Sequence, residues 1–212
     1  MSDIMDITGF ILSGSLITIQ LFFITAIFSI PLGCLVALGK ISKIKPIKAI
    51  LSLYTWAFRG TPLLLQLFFT YFGLPVIGIR LSPLAAASIA FTINYAAYLA
   101  EIFRSGIESI GKGQFEASKV LGMNYCQTMI KIIIPQAIRN VIPPVCNESI
   151  NLIKDSALVA TIGVGDLLRA AKEVVTRDFT ITPFIIAAIL YLILTSILVM
   201  AFRQLEKKYS IN

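Results

Sequence analysis

EASKVLGMNYCQTMIKIIIP, residues 116–135, lies between segments apolar enough to cross a membrane. It is itself polar, punctuated by Gly122 and made basic by Lys119 and Lys131. Such an island cannot lie in hydrocarbon, where its charges and free helix ends would go unsatisfied. It has to face water on one side of a membrane protein. The fold expected is therefore an all-α integral membrane protein, with the island on a loop between spans.

Composition agrees. Of 212 residues, 57% are hydrophobic and 14% charged, against about 25% charged in a soluble domain. Mean hydropathy is +0.87. One transmembrane domain over residues 1–212 is the simplest division, with residues 105–140 as the polar loop. The net charge of +7 does not point to nucleic acid, because the basic residues gather in short loops between apolar runs, a membrane-topology bias. The chain has no histidine, which removes the usual proton shuttle and commonest metal ligand. Cys34, Cys126 and Cys146 show no paired spacing and are read as structural, with neither a metal site nor a disulfide framework. Asp3 and Asp6 stand where a cleavable signal would be basic, and the apolar run behind them is too long for one.

A membrane helix needs about 20 mostly apolar residues. Segments near residues 7–38, 49–77, 83–103, 143–162 and 183–202 meet that need, which gives five spans. Lys40, Lys43, Lys45 and Lys48, then Lys112, Lys119, Lys131 and Arg139, then Arg203, Lys207 and Lys208 fall on one side. That side is expected to be cytoplasmic, leaving the N-terminus outside and the C-terminus inside. Arg169, Lys172 and Arg177 fall in an outer loop, beside Asp166, Glu173 and Asp178. Residues 166–176 read as an amphipathic surface helix, opened by Gly163 and Gly165. No internal repeat is visible, and an odd span count disfavours an inverted-repeat transporter within one chain.

Polar residues within spans are costly and point to function. In the third span Asn94, Tyr98, Glu101 and Ser105 share one helical face. In the fourth, Glu148, Asn151 and Asp155 do the same, with Asn147, Asn151 and Lys154 as an adjoining stripe. The two faces are expected to converge on a cavity. The bland alternative is structural pairing, Glu101 with Arg104 and Lys154 with Asp155. Three acids, Glu101, Glu148 and Asp155, face at most Arg59, Arg104 and Lys154, and both arginines lie near the expected cytoplasmic ends. Midway through the bilayer the balance is acidic, and a cationic ligand would restore neutrality. A second polar cluster comprises Arg59, Gly60, Thr61, Pro62 and Gln66. Gly60 and Pro62 loosen the backbone there, which suits the lining of a wet cavity, so Thr61 and Gln66 become candidate ligand contacts. Arg59 is expected at the head groups.

Taken together, the chain resembles the polar amino-acid family of ABC importer permeases, the histidine/glutamine/arginine/opine group. The resemblance covers nearly the whole length. It is carried by FRGTPLLLQLFFTYFGLP (58–75), NYAAYLAEIFRSGIESIGKGQFEASKVLGM (94–123), the Pro-Gln of IIIPQAIRNVIPP (132–144) and NLIKDSALVATIGVGDLL (151–168). The island is similar to that family's EAA-x3-G-x9-I-x-L-P loop, with Ser118 where the second alanine stands. The resemblance implies a bacterial inner-membrane, multi-pass permease dimer, with two ABC ATPase subunits and an extracytoplasmic substrate-binding protein. A self-sufficient pair of polar faces favours a homodimer. Glu116, Ala117 and Ser118, turned at Gly122, would be the coupling helix that docks on the ATPase. The chain has no GxxxxGK[ST] phosphate loop. It is therefore not an enzyme and carries no cofactor, and ATP and Mg would belong to the partner ATPase. Glu148 stands where the family often has a neutral Gln, in NESI rather than a phrase like NQFI. This extra acid is expected to bind the side-chain cation of arginine, lysine or histidine. Asp155 or Glu101 would take the α-ammonium, and Lys154 or a helix N-terminus the α-carboxylate. The competing readings are an ion-driven amino-acid carrier and a non-binding scaffold half of a heterodimeric permease.

Overall fold

In the computed structural model, which describes residues 4–209, every regular element is helical and no strand occurs among the described residues. Asp3, expected in an outer N-terminus, lies outside those residues. The chain opens with α1 (Ile4–Ile41), which at 38 residues runs ~57 Å and exceeds a hydrocarbon core of ~30 Å. α2 (Lys45–Gly60) is followed by α3 (Leu63–Phe68), which continues through a wide π turn (Phe69–Gly73) and a tight 3-10 turn (Leu74–Ile77). α4 (Pro83–Glu108) leads to the short helices α5 (Lys112–Val120) and α6 (Tyr125–Thr128). A second π turn (Met129–Ile133) joins α6 to α7 (Ile134–Asp155), which tightens into a 3-10 stretch (Ser156–Ile162). α8 (Leu167–Asp178) and α9 (Thr182–Tyr209) complete the chain.

Small residues set the packing. Ala86, Ala87, Ala90, Ala96, Ala97 and Ala100 are buried along α4. Gly33 of α1 lies against it so closely that an added Cβ would stand 2.9 Å from the Leu99 Cβ. Close approach through small side chains drives helix association where water is absent. Leu21, Leu67, Phe91, Tyr95, Leu152 and Val159 form the central apolar cluster. It ties α1, α3, α4 and α7 together. In α9, Ile185, Ile189, Leu192, Ile193, Ile197 and Met200 are exposed, an apolar surface suited to lipid or another helix.

By length and composition, α1, α4 and α9 can each cross a membrane, and residues 45–60 with 63–77 make a fourth crossing if the pair is one span. That pair is bent by 103°, where the sequence suggests one interrupted span. Pro62 disfavours an α-conformation at the residue before it, and Thr61 is extended at φ −116°, ψ 145°. Residues 143–162 do not reach the same apolarity, because Asn147, Glu148, Asn151, Lys154 and Asp155 interrupt them. The surface helix expected at residues 166–176 forms as α8, with Asp166 as its N-cap.

Gly14 of α1 sits beneath the start of α8, where an added Cβ would stand 2.7 Å from the backbone oxygen of Asp166. Gly14→Ala is therefore expected to lower the thermal midpoint of the detergent-purified protein, at a cost of about 1–3 kcal/mol. Gly9→Ala, whose methyl meets nothing within 4 Å, serves as the control and should not lower it. Equal midpoints for the two variants would contradict the close approach of α1 and α8.

Candidate functional site

The bend between α2 and α3 is built around a missing donor. In an unbroken helix the Phe58 carbonyl would accept from residue 62, but Pro62 has no N–H. Side-chain amides replace it: Gln66 Nε2 donates to Phe58 O at 2.9 Å and Asn94 Nδ2 donates to the same oxygen at 3.0 Å. Asn94 also donates to Gln66 Oε1 at 3.0 Å, and Gln66 donates to Thr61 Oγ1 at 2.7 Å. The Thr61 hydroxyl returns to Ala57 O at 2.8 Å. Thr61, Gln66 and Asn94 thus form one network that satisfies backbone freed by the bend.

Beside this network opens a cavity of about 610 Å³ between the bend, α4 and α7. Thr61, Asn94 and Tyr98 line one side, and Glu148, Asn151 and Asp155 the other. The two polar faces expected from helical spacing do converge. Asp155 Oδ2 accepts from the Tyr95 hydroxyl at 2.7 Å. Tyr95 was not among the expected site residues; its signal is a phenol in a buried stretch of α4, which needs a polar partner. Arg59, expected at the head groups, lines the cavity instead. Its guanidinium carbon stands 5.3 Å from the centroid of the Tyr98 ring, within cation–π range. The Tyr98 hydroxyl donates to the Arg59 carbonyl at 3.3 Å.

Glu101 is differently placed. Lys40, expected in a cytoplasmic loop, is buried at 7% exposure. Its ammonium donates to Thr55 Oγ1 at 2.6 Å and pairs with Glu101. The Thr55 hydroxyl lies 3.0 Å from the same carboxylate, and Arg104 reaches its other oxygen through Nε at 2.9 Å and Nη2 at 2.8 Å. Arg104 also pairs with Glu108. The expected Glu101–Arg104 pair is present, with Lys40 added. Lys154 does not face Asp155's cavity; it lines an apolar recess with Ala188, Tyr191, Leu192 and Thr195 of α9. The main cavity therefore holds Glu148 and Asp155 against Arg59 alone, an excess of one negative charge.

In the polar island, α5 carries Glu116, Ala117 and Ser118, with the first two exposed. Ser118 is buried, and its hydroxyl donates to Gln114 O at 2.7 Å. A serine in place of alanine is satisfied there without outside help. Gly122 has φ 73°, a left-handed turn that glycine adopts without a Cβ penalty. Met123 N donates back to Ser118 O at 3.0 Å. Val120 and Leu121 are exposed at 88% and 77%, so the helix presents an apolar tip. A capping box of Asn124 and Gln127 starts α6.

On the far side of the molecule Asp166 is fully buried. It accepts from the amides of Leu168 and Arg169 at 3.1 Å each and from the Tyr191 hydroxyl at 3.4 Å. Burial pushes its carboxyl above the ordinary value, and the two amides and the phenol pull it partly back. Cys34, Cys126 and Cys146 are free thiols. No cluster of acidic residues or cysteines among the described residues is arranged to hold a metal.

Residues 29–211 match the family described as the binding-protein-dependent transport system inner membrane component. The arginine transport system permease protein ArtQ of Bacillus subtilis (strain 168) is 42% identical over 205 residues, covering 96% of this chain and 94% of the relative. A permease named for glutamine transport in Rickettsia conorii is 40% identical over 205 residues, with the same coverage of 96% and 94%. The L-cystine transport system permease protein TcyB of Bacillus subtilis is 40% identical over 201 residues, covering 93% and 86%. A solved crystal structure of an amino acid ABC transporter with histidines superposes with a TM-score of 0.91 at 38% identity, over 97% of this chain and 96% of that one.

Two outcomes follow from the buried groups. Lys40→Met leaves Glu101 short of a buried partner and should cost about 3–5 kcal/mol, read as a fall in thermal midpoint. The double variant Lys40→Met with Glu101→Gln should recover part of it, and strictly additive losses would contradict a direct pair. For Asp166, a carboxyl raised by folding favours the folded state in acid, and that contribution is lost as pH rises from the ordinary value through the raised one. Asp166→Asn keeps a cap and removes the titration, so its stability relative to the parent should increase from pH 4 toward neutrality; a flat difference would count against the assignment.

Proposed function

Because the chain belongs to the binding-protein-dependent transport inner-membrane family, and is a permease subunit of an amino-acid ABC importer rather than an enzyme, we propose that it carries cationic amino acids. The observation that carries this reading is the charge balance of the main cavity, where Glu148 and Asp155 outnumber Arg59. A ligand with one net positive charge, such as arginine or lysine, brings the sum to zero. Glu148 would hold the side-chain cation and Asp155, oriented by Tyr95, the α-ammonium. Asn151, Asn94, Thr61 and Tyr98 would complete the polar wall. Gln66 would act through the bend it stabilises. Glu101 is assigned a positioning role, since Lys40, Thr55 and Arg104 already occupy its oxygens. Lys154, turned toward α9, is assigned no ligand contact.

The proposed topology has five crossings, with α7 and its 3-10 extension as the fourth and the N-terminus outside. Its polar side chains would then face a cavity rather than lipid, which satisfies the constraint on charges at membrane depth. The lysines and arginines near α5 and the end of α9 would fall on the cytoplasmic side. There the exposed side chains of Glu116, Ala117, Val120 and Leu121 would dock on an ATPase subunit. α6 continues through a π turn directly into α7, so displacement of α5 would reach Glu148 and Asp155 through a short path. Two such chains, two ATPases holding ATP and Mg, and an extracytoplasmic binding protein would make up the importer in a bacterial inner membrane. A pair of polar faces complete within one chain supports a homodimer.

Glu148→Gln tests the substrate class. Radiolabelled uptake should show arginine affinity weakened about tenfold or more, the worth of a charge-assisted contact, and reduced discrimination against glutamine. Unchanged affinity together with unchanged discrimination would remove the assignment.

A further inference from the structure

A second polar cavity, of about 530 Å³, adjoins the first. Arg59, Tyr98 and Glu148 line both, so the two meet at the contact between the Arg59 guanidinium and the Tyr98 ring. Register places the second cavity nearer the polar island. On α4 the first cavity is lined between Asn94 and Tyr98, and the second from Tyr98 onward to Ser109. On α7 the first takes Glu148 to Asp155, and the second Asn140 to Glu148. Its floor is tight. Gly106 lies where an added Cβ would stand 2.3 Å from Val141 Cγ1, so α4 and α7 close on each other below it.

The lining is neither apolar nor of one charge. Arg59 and Arg104 supply cations, Ser105 and Ser109 hydroxyls, and Asn140 an amide. Asn140 Nδ2 donates to Ser109 Oγ at 2.8 Å, and the Ser109 hydroxyl donates to Gly106 O at 2.7 Å. The Arg59 guanidinium enters no ion pair among the described residues, and Ser105 lines the same space. With Arg104 held by Glu101 and Glu108, the lining leaves one guanidinium, Arg59, and one carboxylate, Glu148, beside hydroxyls and an amide. That is the chemistry that receives a zwitterion, with its α-carboxylate toward Arg59. A hydrophobic cargo or a bare cation would leave the Arg59 guanidinium without a carboxylate.

We propose that this lower cavity is a second, weaker binding subsite for the same amino-acid cargo, entered past the Arg59–Tyr98 contact, with Arg59 facing the α-carboxylate and Ser105 and Asn140 its polar surroundings. The subsite rests on the amino-acid permease reading above. Ser105 completes the polar face of α4 that Asn94, Tyr98 and Glu101 begin, and gains a role there.

The test is equilibrium binding of radiolabelled arginine, glutamine and cystine to the full chain in lipid nanodiscs. Wild type should show two components per chain for its cargo. Ser105→Leu, which puts a bulky apolar side chain at a position lining only the lower cavity, should abolish the weaker component and leave the tighter Kd within about twofold. Asn140→Leu, an independent variant on α7, should do the same. Asp155→Asn, confined to the upper cavity, should weaken the tighter component about tenfold or more and spare the weaker. A single component in wild type, or a weaker component that survives both lower-cavity variants, overturns the subsite. If Asp155→Asn has no effect while Ser105→Leu still removes the weaker component, the subsite stands and the assignment of the upper site falls. Absence of binding by wild type to any of the three amino acids overturns the functional reading and the subsite with it.

Discussion

A charge at membrane depth has to be paired, hydrated or met by a ligand, and the arrangement of this chain follows from how each is handled. The buried Lys40 is paired with the largely covered Glu101, and Thr55 and Arg104 complete the contact. That cluster joins the end of α1 to the middle of α2 and the C-terminal half of α4. It fixes α2 four residues before Arg59 and α4 three residues after Tyr98. Glu148 and Asp155, by contrast, face an open cavity with only Arg59 as a fixed countercharge. One set of charges is spent on holding helices together; the other is left available.

The second organising feature is Pro62. Its missing N–H leaves the Phe58 carbonyl without a helical partner, and the resulting 103° bend turns α3 away from α2. Gln66 and Asn94 fill the vacancy from two different helices. This bend makes room for the main cavity, and its repair gives the cavity a rigid polar wall. Irregular backbone at this depth is tolerated because it lines protein and a wet space.

Much of this was legible in the residues. The spacing of 94, 98, 101 and 105, and of 148, 151 and 155, placed two polar faces on helices that do meet. Glu116 to Gly122 announced a short helix with a glycine turn. What the spacing could not carry was direction in three dimensions. Lys154 sits beside Asp155 in sequence, but successive helical residues point about 100° apart, and it faces α9. Lys40 looks like part of a loop cluster of lysines, yet a helix longer than a bilayer needs carries it inward. Arg59 is one residue from a Gly-Thr-Pro break, and whether it turns to the head groups or the cavity depends on a bend angle that no local pattern specifies. Tyr95 reads as an apolar position until its hydroxyl has a partner.

On the proposed function the division of labour is physical: α5 and its apolar tip would supply a surface on which an energy source acts, α7 would link that surface to the acids, and the acids would set what is carried. The most direct measurement is uptake by proteoliposomes holding the permease, its ATPase and its binding protein, with unlabelled amino acids as competitors. The account predicts uptake that requires ATP and is competed by arginine and lysine far better than by glutamine. Uptake driven by an ion gradient without ATP, or competed best by glutamine, would contradict it.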